Sequence, residues 1–350
     1  MRVLILYTEL AGYVIGNIRR FLQLNPQAEL LLIHYPVNAE APFNFDFPPG
    51  FRSIVFNSAK SKEIQKEIST FNPELVLCSG WSNKQYINWV KNLEGSVKKV
   101  ICFDNQWKGN FKQVILSILS PFTFLKMFHY AWVPGLPQKA YALKLGFKNK
   151  NVHLGLYPAD TELFIPIGKE KLAKKGSYPK VMISVARYIA QKDLPTLWEA
   201  FISANSATGN KWVLNCFGYG ELYEQRVQNA YINHLGFKQP RELEPYVKNA
   251  GVYVLPSTYE PWGVAVHEMA LSALPLVLSD KVGASTMFLN KDNGFSFQAG
   301  NVSELTTILR SIMEMTDESL WMLAENSYKN GLKLKSDDWS DTLLNIYKDK

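Results

Sequence analysis

Val252-Tyr253-Val254-Leu255-Pro256-Ser257-Thr258-Tyr259-Glu260-Pro261-Trp262-Gly263-Val264-Ala265-Val266-His267-Glu268-Met269-Ala270, with a second apolar run at Leu276-Val277-Leu278, reads as strand, loop, helix and strand. The run 252–255 is too short for a helix and apolar at every position, as expected of a strand covered on both faces. A small polar loop then delivers Glu260, and Pro261 suits the first turn of a helix predicted over 262–273. A helical crossover between two short apolar strands makes those strands parallel.

The same alternation extends to both sides. Upstream, strands are predicted at 181–186 and 212–217 with a helix at 194–203 between them. Further helices are predicted at 241–250 and 302–315, and a capped amphipathic helix at 336–347. A separate series occupies the first half, with strands at 2–7, 30–34, 54–56, 75–78, 100–103 and 131–133 and helices at 13–24, 60–69 and 84–93. Between the series, residues 157–178 contain Pro158, Pro166, Gly168, Gly176 and four lysines, the composition of a linker. The chain thus divides into two Rossmann-like domains, 1–164 and 165–335, and a closing helix, 336–350. Ligands of open parallel sheets bind at the carboxyl ends of the strands, so two such domains would form a cleft.

With 47% hydrophobic and 20% charged residues, the composition is globular and excludes collagenous and largely disordered classes. The 350 residues exceed one ordinary core. Cys78, Cys102 and Cys216 each fall in an apolar strand, so buried thiols in a reducing, cytoplasmic compartment are expected rather than a disulfide framework. Glu9 interrupts the N-terminal apolar run too early for a signal peptide. The longest uncharged stretch, Gln113 to Leu125, has 13 residues, short of the roughly 20 a membrane-spanning helix needs. The net charge of +7 is uneven: residues 51–150 hold 15 Lys and Arg against 5 Asp and Glu, whereas 171–350 hold 19 of each. A positive field over the first half implies an anionic partner there.

Chemistry concentrates in the loops that follow the second-half strands. Arg187 and Lys192 flank a strand-to-helix loop, where two cations beside a helix N-terminus form a diphosphate clamp; solvated surface charges are the other reading. Gly218 and Gly220 in Phe217-Gly218-Tyr219-Gly220-Glu221 permit close backbone approach, or simply a tight turn. Gly263 leaves backbone N–H groups open to a ligand at the helix start. Glu268, among Val264, Val266, Met269 and Leu271, is a carboxylate on a largely buried helix and needs a hydrogen-bonding partner.

The glutamate pair eight residues apart, Glu260-Pro261-Trp262-Gly263, Tyr253-Val254-Leu255-Pro256-Ser257, Leu274-Pro275-Leu276-Val277-Leu278-Ser279-Asp280, Ser184-Val185-Ala186-Arg187 with Lys192, and Phe217-Gly218-Tyr219-Gly220-Glu221 together resemble the signature of the retaining GT-B glycosyltransferases of family 4. The resemblance implies an α/β fold, GT-B, with two Rossmann-like domains facing a central cleft and a C-terminal helix crossing back to the first. It implies that Arg187 and Lys192 hold the donor diphosphate, that Glu268 accepts hydrogen bonds from the ribose and that Glu260 contacts the transferred sugar. The backbone of Trp262, Gly263 and Val264 would meet sugar and phosphate, and Phe237 would lie near the base of a UDP- or GDP-type donor. Two positions depart from the family pattern: Ala273 replaces a glycine, and Pro261 stands where glycine is common.

The chain has no Asp-x-Asp pair, and its five histidines share no ligand spacing, so neither a metal nor another cofactor is expected. Fixed cations and helix-terminal amides stabilise a departing diphosphate without one. In the first half, Gly12 is a candidate for approach to the donor phosphate, and Phe103-Asp104-Asn105-Gln106-Trp107 offers sugar-recognising groups, with Trp107 stacking on a ring. Asp104 stands where the family often places a histidine; proton transfer and helix capping are its two readings. The stretch 108–130 sets Lys108, Lys112 and Lys126 around an apolar interior. It reads either as a buried helix pair or as a piece resting in an anionic membrane interface near a lipid-linked acceptor. The competing functions are a sugar phosphorylase or nucleotide-sugar epimerase of the same architecture, and a nucleic-acid-binding protein. The last is disfavoured, because the basic residues show no base-reading motif and the second half is neutral.

Overall fold

The computed structural model describes residues 1–49, 51–209 and 212–349. The chain forms two compact units, Met1–Asn38 with Phe45–Pro158 and Ser336–Lys350, and Ala39–Asn44 with Ala159–Lys335. The division falls at Pro158 rather than at 164, and a short piece of the first half belongs to the second unit.

The first unit begins β1 (Arg2–Tyr7), α1 (Gly12–Leu24), β2 (Glu29–His34), β3 (Phe51–Val55), α2 (Ser61–Phe71), β4 (Leu75–Ser79), α3 (Lys84–Asn92) and β5 (Lys98–Cys102). It continues through α4 (Phe111–Leu119), α5 (Phe124–Met127), β6 (Tyr130–Trp132), α6 (Leu136–Lys144) and β7 (Val152–His153). Its seven strands are ordered β3-β2-β1-β4-β5-β6-β7, and every pairing is parallel.

The second unit runs α7 (Thr161–Ala173), β8 (Val181–Val185), α8 (Leu194–Thr208), β9 (Val213–Phe217), β10 (Ile232–His234), α9 (Pro240–Lys248) and β11 (Val252–Leu255). Then follow α10 (Val264–Leu271), β12 (Leu276–Ser279), α11 (Ser285–Phe288), β13 (Gly294–Phe297), α12 (Val302–Met313) and α13 (Asp317–Gly331). Its six strands are ordered β10-β9-β8-β11-β12-β13, again parallel throughout. In both sheets the order reverses beside the first strand, which places a switch point at β1/β4 and another at β8/β11.

The last helix, α14 (Ser336–Lys348), returns to the first unit as expected. Trp339 packs against Phe21 and Trp132, with ring centroids 6.2 and 5.2 Å away, and Arg20 grips Asp337 with bonds of 2.6 and 3.1 Å. All three cysteines are buried free thiols. No described helix is long and apolar enough to cross a membrane.

Three local expectations fail. Residues 157–178 are not a linker: α7 continues through Pro166 because Phe164, Ile167 and Lys171 are buried, and tertiary packing outweighs the missing backbone donor. Gly168 is there for contact, since a Cβ would lie 2.1 Å from the Leu271 carbonyl oxygen and 2.6 Å from the Tyr328 ring. Gly168→Ala is therefore expected to cost about 2–3 kcal/mol, lowering Tm by roughly 5–10 °C in a unit of this size; calorimetry checks it. Second, the helix predicted from 262 begins only at Val264, because Gly263 turns through φ 91° and leaves Pro261 and Trp262 in the loop. Third, the stretch 108–130 is not a buried helix pair, since neither α4 nor α5 contains a buried residue. Ala273 has φ 57°, a left-handed conformation that costs a non-glycine residue about 1–2 kcal/mol.

Candidate functional site

Both strands at the β8/β11 switch point end in the charged loops singled out from the sequence. After β8 the chain passes Arg187 and makes a single 3-10 turn, Ala190–Lys192, that presents Lys192. After β11, Ser257 to Glu260 runs alongside. The two loops are fastened together: the Thr258 N–H donates to the Gln191 carbonyl at 2.9 Å, and Gln191 Nε2 donates to the Tyr259 carbonyl at 2.6 Å. Lys192 Nζ reaches Glu260 Oε2 in an ion pair whose side chains are 14% and 10% exposed, and Ser257 Oγ donates to the same oxygen at 3.4 Å.

Glu260 is also held through its backbone. Its N–H donates to the Lys281 carbonyl at 3.0 Å and its carbonyl accepts from Gly283 at 2.9 Å, so the loop after β12 fixes the carboxylate's direction. Gly263 closes the arrangement at the N-terminus of α10. A Cβ there would stand 2.9 Å from Glu260 Cγ, and its φ disfavours other residues. Val264 opens the helix, while the Trp262 ring is buried 6.1 Å from Phe288.

Glu268 follows on α10. Burial first, then the nearby negative Asp160, pushes its carboxyl up to about 7. Among the described residues no protein group donates a hydrogen bond to its carboxylate, and the residue is half-buried. The neighbouring His267 points elsewhere: its Nδ1 accepts from Ala159 N–H and its Nε2 donates to the Gly331 carbonyl, both at 2.9 Å. Burial holds that imidazole neutral, with its pKa lowered to about 4.

Gly218 lies at the end of β9 with φ 128°, where a Cβ would meet the Ala186 carbonyl oxygen at 2.1 Å. It lets the β9 loop press against the Arg187 loop. Two features were not foreseen. The segment Ala39–Asn44 lies on this unit, with Glu40 3.7 Å from Arg187 and the Phe43 ring packed edge-on against Phe237 at 5.1 Å. The Lys281–Gly283 turn that anchors Glu260 was likewise missed. Arg187, Lys192, Gly218, Phe237, Glu260, Gly263 and Glu268 thus all sit in loops or a helix that follow strands of one sheet.

In the first unit, Gly12 is the first residue of α1, and Asp104 follows β5. The cap of α4 is Asn110, not Asp104: its side chain accepts from the Gln113 N–H. Asp104 lies near three tyrosines at the carboxyl end of β1 and its neighbours, of which Tyr7 and Tyr157 are buried and Tyr13 half-buried. Tyr7 and Tyr13 hydroxyls are 3.4 Å apart, and Tyr157 meets Tyr13 ring to ring at 5.6 Å. Burial, then one another and Asp104, push these phenols well above their ordinary range. One face of Trp107 is covered by Lys144, whose Nζ sits 4.9 Å from the ring centre.

Residues 168–330 match the family model described as Glycosyl transferases group 1. Glycogen synthase of Mycobacterium tuberculosis is 29% identical over 113 residues, 32% of this chain and 25% of that protein, so the match spans about a quarter of the curated relative's length. Among solved structures, sucrose-phosphate synthase from Thermosynechococcus elongatus superposes with a TM-score of 0.73 at 14% identity, covering 99% of this chain and 98% of that one. Anabaena HepE in complex with UDP-glucose gives 0.72 at 14% identity, over 98% of each chain. The two parallel-sheet, Rossmann-like units have the GT-B fold.

Proposed function

We propose that this protein is a retaining glycosyltransferase of family 4 that moves a sugar from a UDP- or GDP-type nucleotide sugar to a glycan or lipid-linked saccharide in the cytoplasm. A role in bacterial cell-surface polysaccharide synthesis fits such an acceptor. The observation that carries the reading is the Lys192–Glu260 pair at the β8/β11 switch point, with Arg187 in one adjoining loop and the N-terminus of α10 beside the other. In this reading Lys192 and Arg187 meet the diphosphate, Glu260 the transferred sugar, and the Glu268 carboxylate the ribose hydroxyls. Gly12, Gly218, Phe237 and the 262–264 backbone complete the donor contacts, while Asp104 serves the acceptor. The matched family model, which covers all the second-half residues, supports this reading, as does the solved complex of the structurally similar HepE with UDP-glucose.

Breaking the glycosyl–phosphate bond builds negative charge on the leaving diphosphate, and two cations with helix-terminal amides lower that barrier. Activity is therefore expected to persist in EDTA. Loss of activity restored by a divalent cation would contradict a metal-independent reaction. The reading itself is tested by thermal shift with UDP, GDP, ADP and their sugar conjugates: one nucleotide diphosphate should stabilise the protein by several degrees at a hundred times its Kd. No shift with any member of the panel would overturn it.

A further inference from the structure

The helix α4 turns its oily side outward. Phe111, Val114, Ile115, Ile118, Leu119 and Phe122 recur at intervals of three and four residues, the spacing of a single helical stripe. In a globular protein such a stripe faces the core. Here Phe111, Ile118 and Phe122 are 78%, 65% and 70% exposed, and α4 has no buried residue. The opposite side of the helix, through Leu116, is the one that touches the unit's core. Six of the exposed large apolar residues of the described chain thus lie within twelve consecutive positions, a patch too concentrated to be incidental surface.

Its surroundings identify the occupant. From Asn105 to Lys150 there are seven lysines and no Asp or Glu. Lys108, Lys112 and Lys126 are exposed around the stripe, and Lys126 hangs over the Phe122 ring with its Nζ 6.0 Å from the centre. An anionic lipid bilayer, a surface of uniform negative charge over an apolar interior, complements both the stripe and the lysines around it.

We propose that α4 and the 3-10 turn after it form a monotopic membrane-docking surface, with Phe111, Ile118 and Phe122 entering the acyl boundary and Lys108, Lys112 and Lys126 meeting anionic headgroups. The surface belongs to the first unit and stands independently of the reaction proposed above.

The test is flotation of the full-length protein with vesicles of phosphatidylcholine alone or with one-third phosphatidylglycerol, at low and high salt. The protein is expected to float with the anionic vesicles, less so in high salt, and not with the neutral ones. Phe111→Ser/Ile118→Ser/Phe122→Ser is expected to weaken binding at least tenfold, and Lys108→Gln/Lys112→Gln/Lys126→Gln roughly a hundredfold. Failure of the wild-type protein to float at low salt would overturn the proposal, as would equal binding by the lysine variant, whose changes lie only at exposed positions. A concentration-dependent dimer in light scattering that the Ser variant abolishes would show instead that a second copy covers the stripe. Nucleotide thermal shifts, read in parallel, belong to the second unit: their absence alongside intact flotation would remove the donor reading and leave the docking surface standing.

Discussion

Lys192→Met is expected to lower kcat by about 10²–10³, the cost of removing one fixed group that stabilises charge developing in a transition state. In the proposed reaction that charge is the departing diphosphate. The same substitution leaves the Glu260 carboxylate buried with, among the described residues, the 3.4 Å hydrogen bond from Ser257 as its remaining side-chain partner. Breaking a buried pair from one side costs about 3–5 kcal/mol. The two effects separate in the double variant Lys192→Met/Glu260→Leu, which removes both charges from the interior. It is expected to recover most of the lost Tm and none of the lost activity. A Lys192→Met enzyme with near wild-type kcat would remove Lys192 from the reaction.

Glu268→Gln is expected to stabilise the free protein while weakening donor binding. The Glu268 carboxyl is raised to about 7 by burial and by Asp160. A raised acid is protonated in the folded state while it ionises in the unfolded one, so this group's contribution falls as pH rises from about 4.5 to 7 and stays lost above. At pH 8 its removal therefore returns up to roughly 3 kcal/mol. His267 has the opposite sign: with its pKa lowered to about 4, it makes stability rise with pH from about 4 to 6.5. The two slopes oppose each other in the wild-type protein, and Glu268→Gln is expected to unmask the rising one in thermal denaturation between pH 4 and 6.5.

Donor binding behaves differently. Two ribose hydroxyls donate best to an ionised carboxylate, so nucleotide affinity in the wild-type protein should fall below about pH 7. Hydrogen bonds to a charged group contribute about 1.5–3 kcal/mol, so Glu268→Ala should weaken nucleotide binding roughly 10- to 150-fold. Glu268→Gln should flatten the pH profile. A glutamate with only a structural role would move Tm and leave nucleotide affinity and its pH profile unchanged.

The second sheet's loops were readable because their residues break the local rule of their setting. A charged Glu260 between a buried strand and a buried helix, or a Glu268 within an apolar helical run, is costly unless something meets it, and that cost marks the position. The Lys281–Gly283 turn and the Ala39–Asn44 segment carry no such mark. The turn acts through backbone hydrogen bonds and the segment through the Glu40 and Phe43 side chains, and only folding brings them to Glu260, Arg187 and Phe237. The helix α7 was hidden by Pro166 and Gly168, whose helix-breaking tendency is real but smaller than the gain from burying Phe164 and Ile167. The strand β13 was missed because Gly294-Phe295-Ser296-Phe297 is short and begins with a glycine. That glycine is there for close packing, since a Cβ would lie 1.9 Å from the Leu276 carbonyl oxygen. In the first unit the apolar stripe of α4 was visible, but its direction was not, because periodicity shows that a helix has an oily side and only packing shows which way it faces.

The most direct measurement is to incubate the purified protein with the nucleotide sugar whose diphosphate stabilises it and with a saccharide acceptor, and to follow the anomeric carbon by NMR. The account predicts release of the nucleoside diphosphate and a new glycoside with the donor's anomeric configuration. Recovery of an epimerised nucleotide sugar, of a sugar phosphate, or of a glycoside with inverted configuration would contradict it.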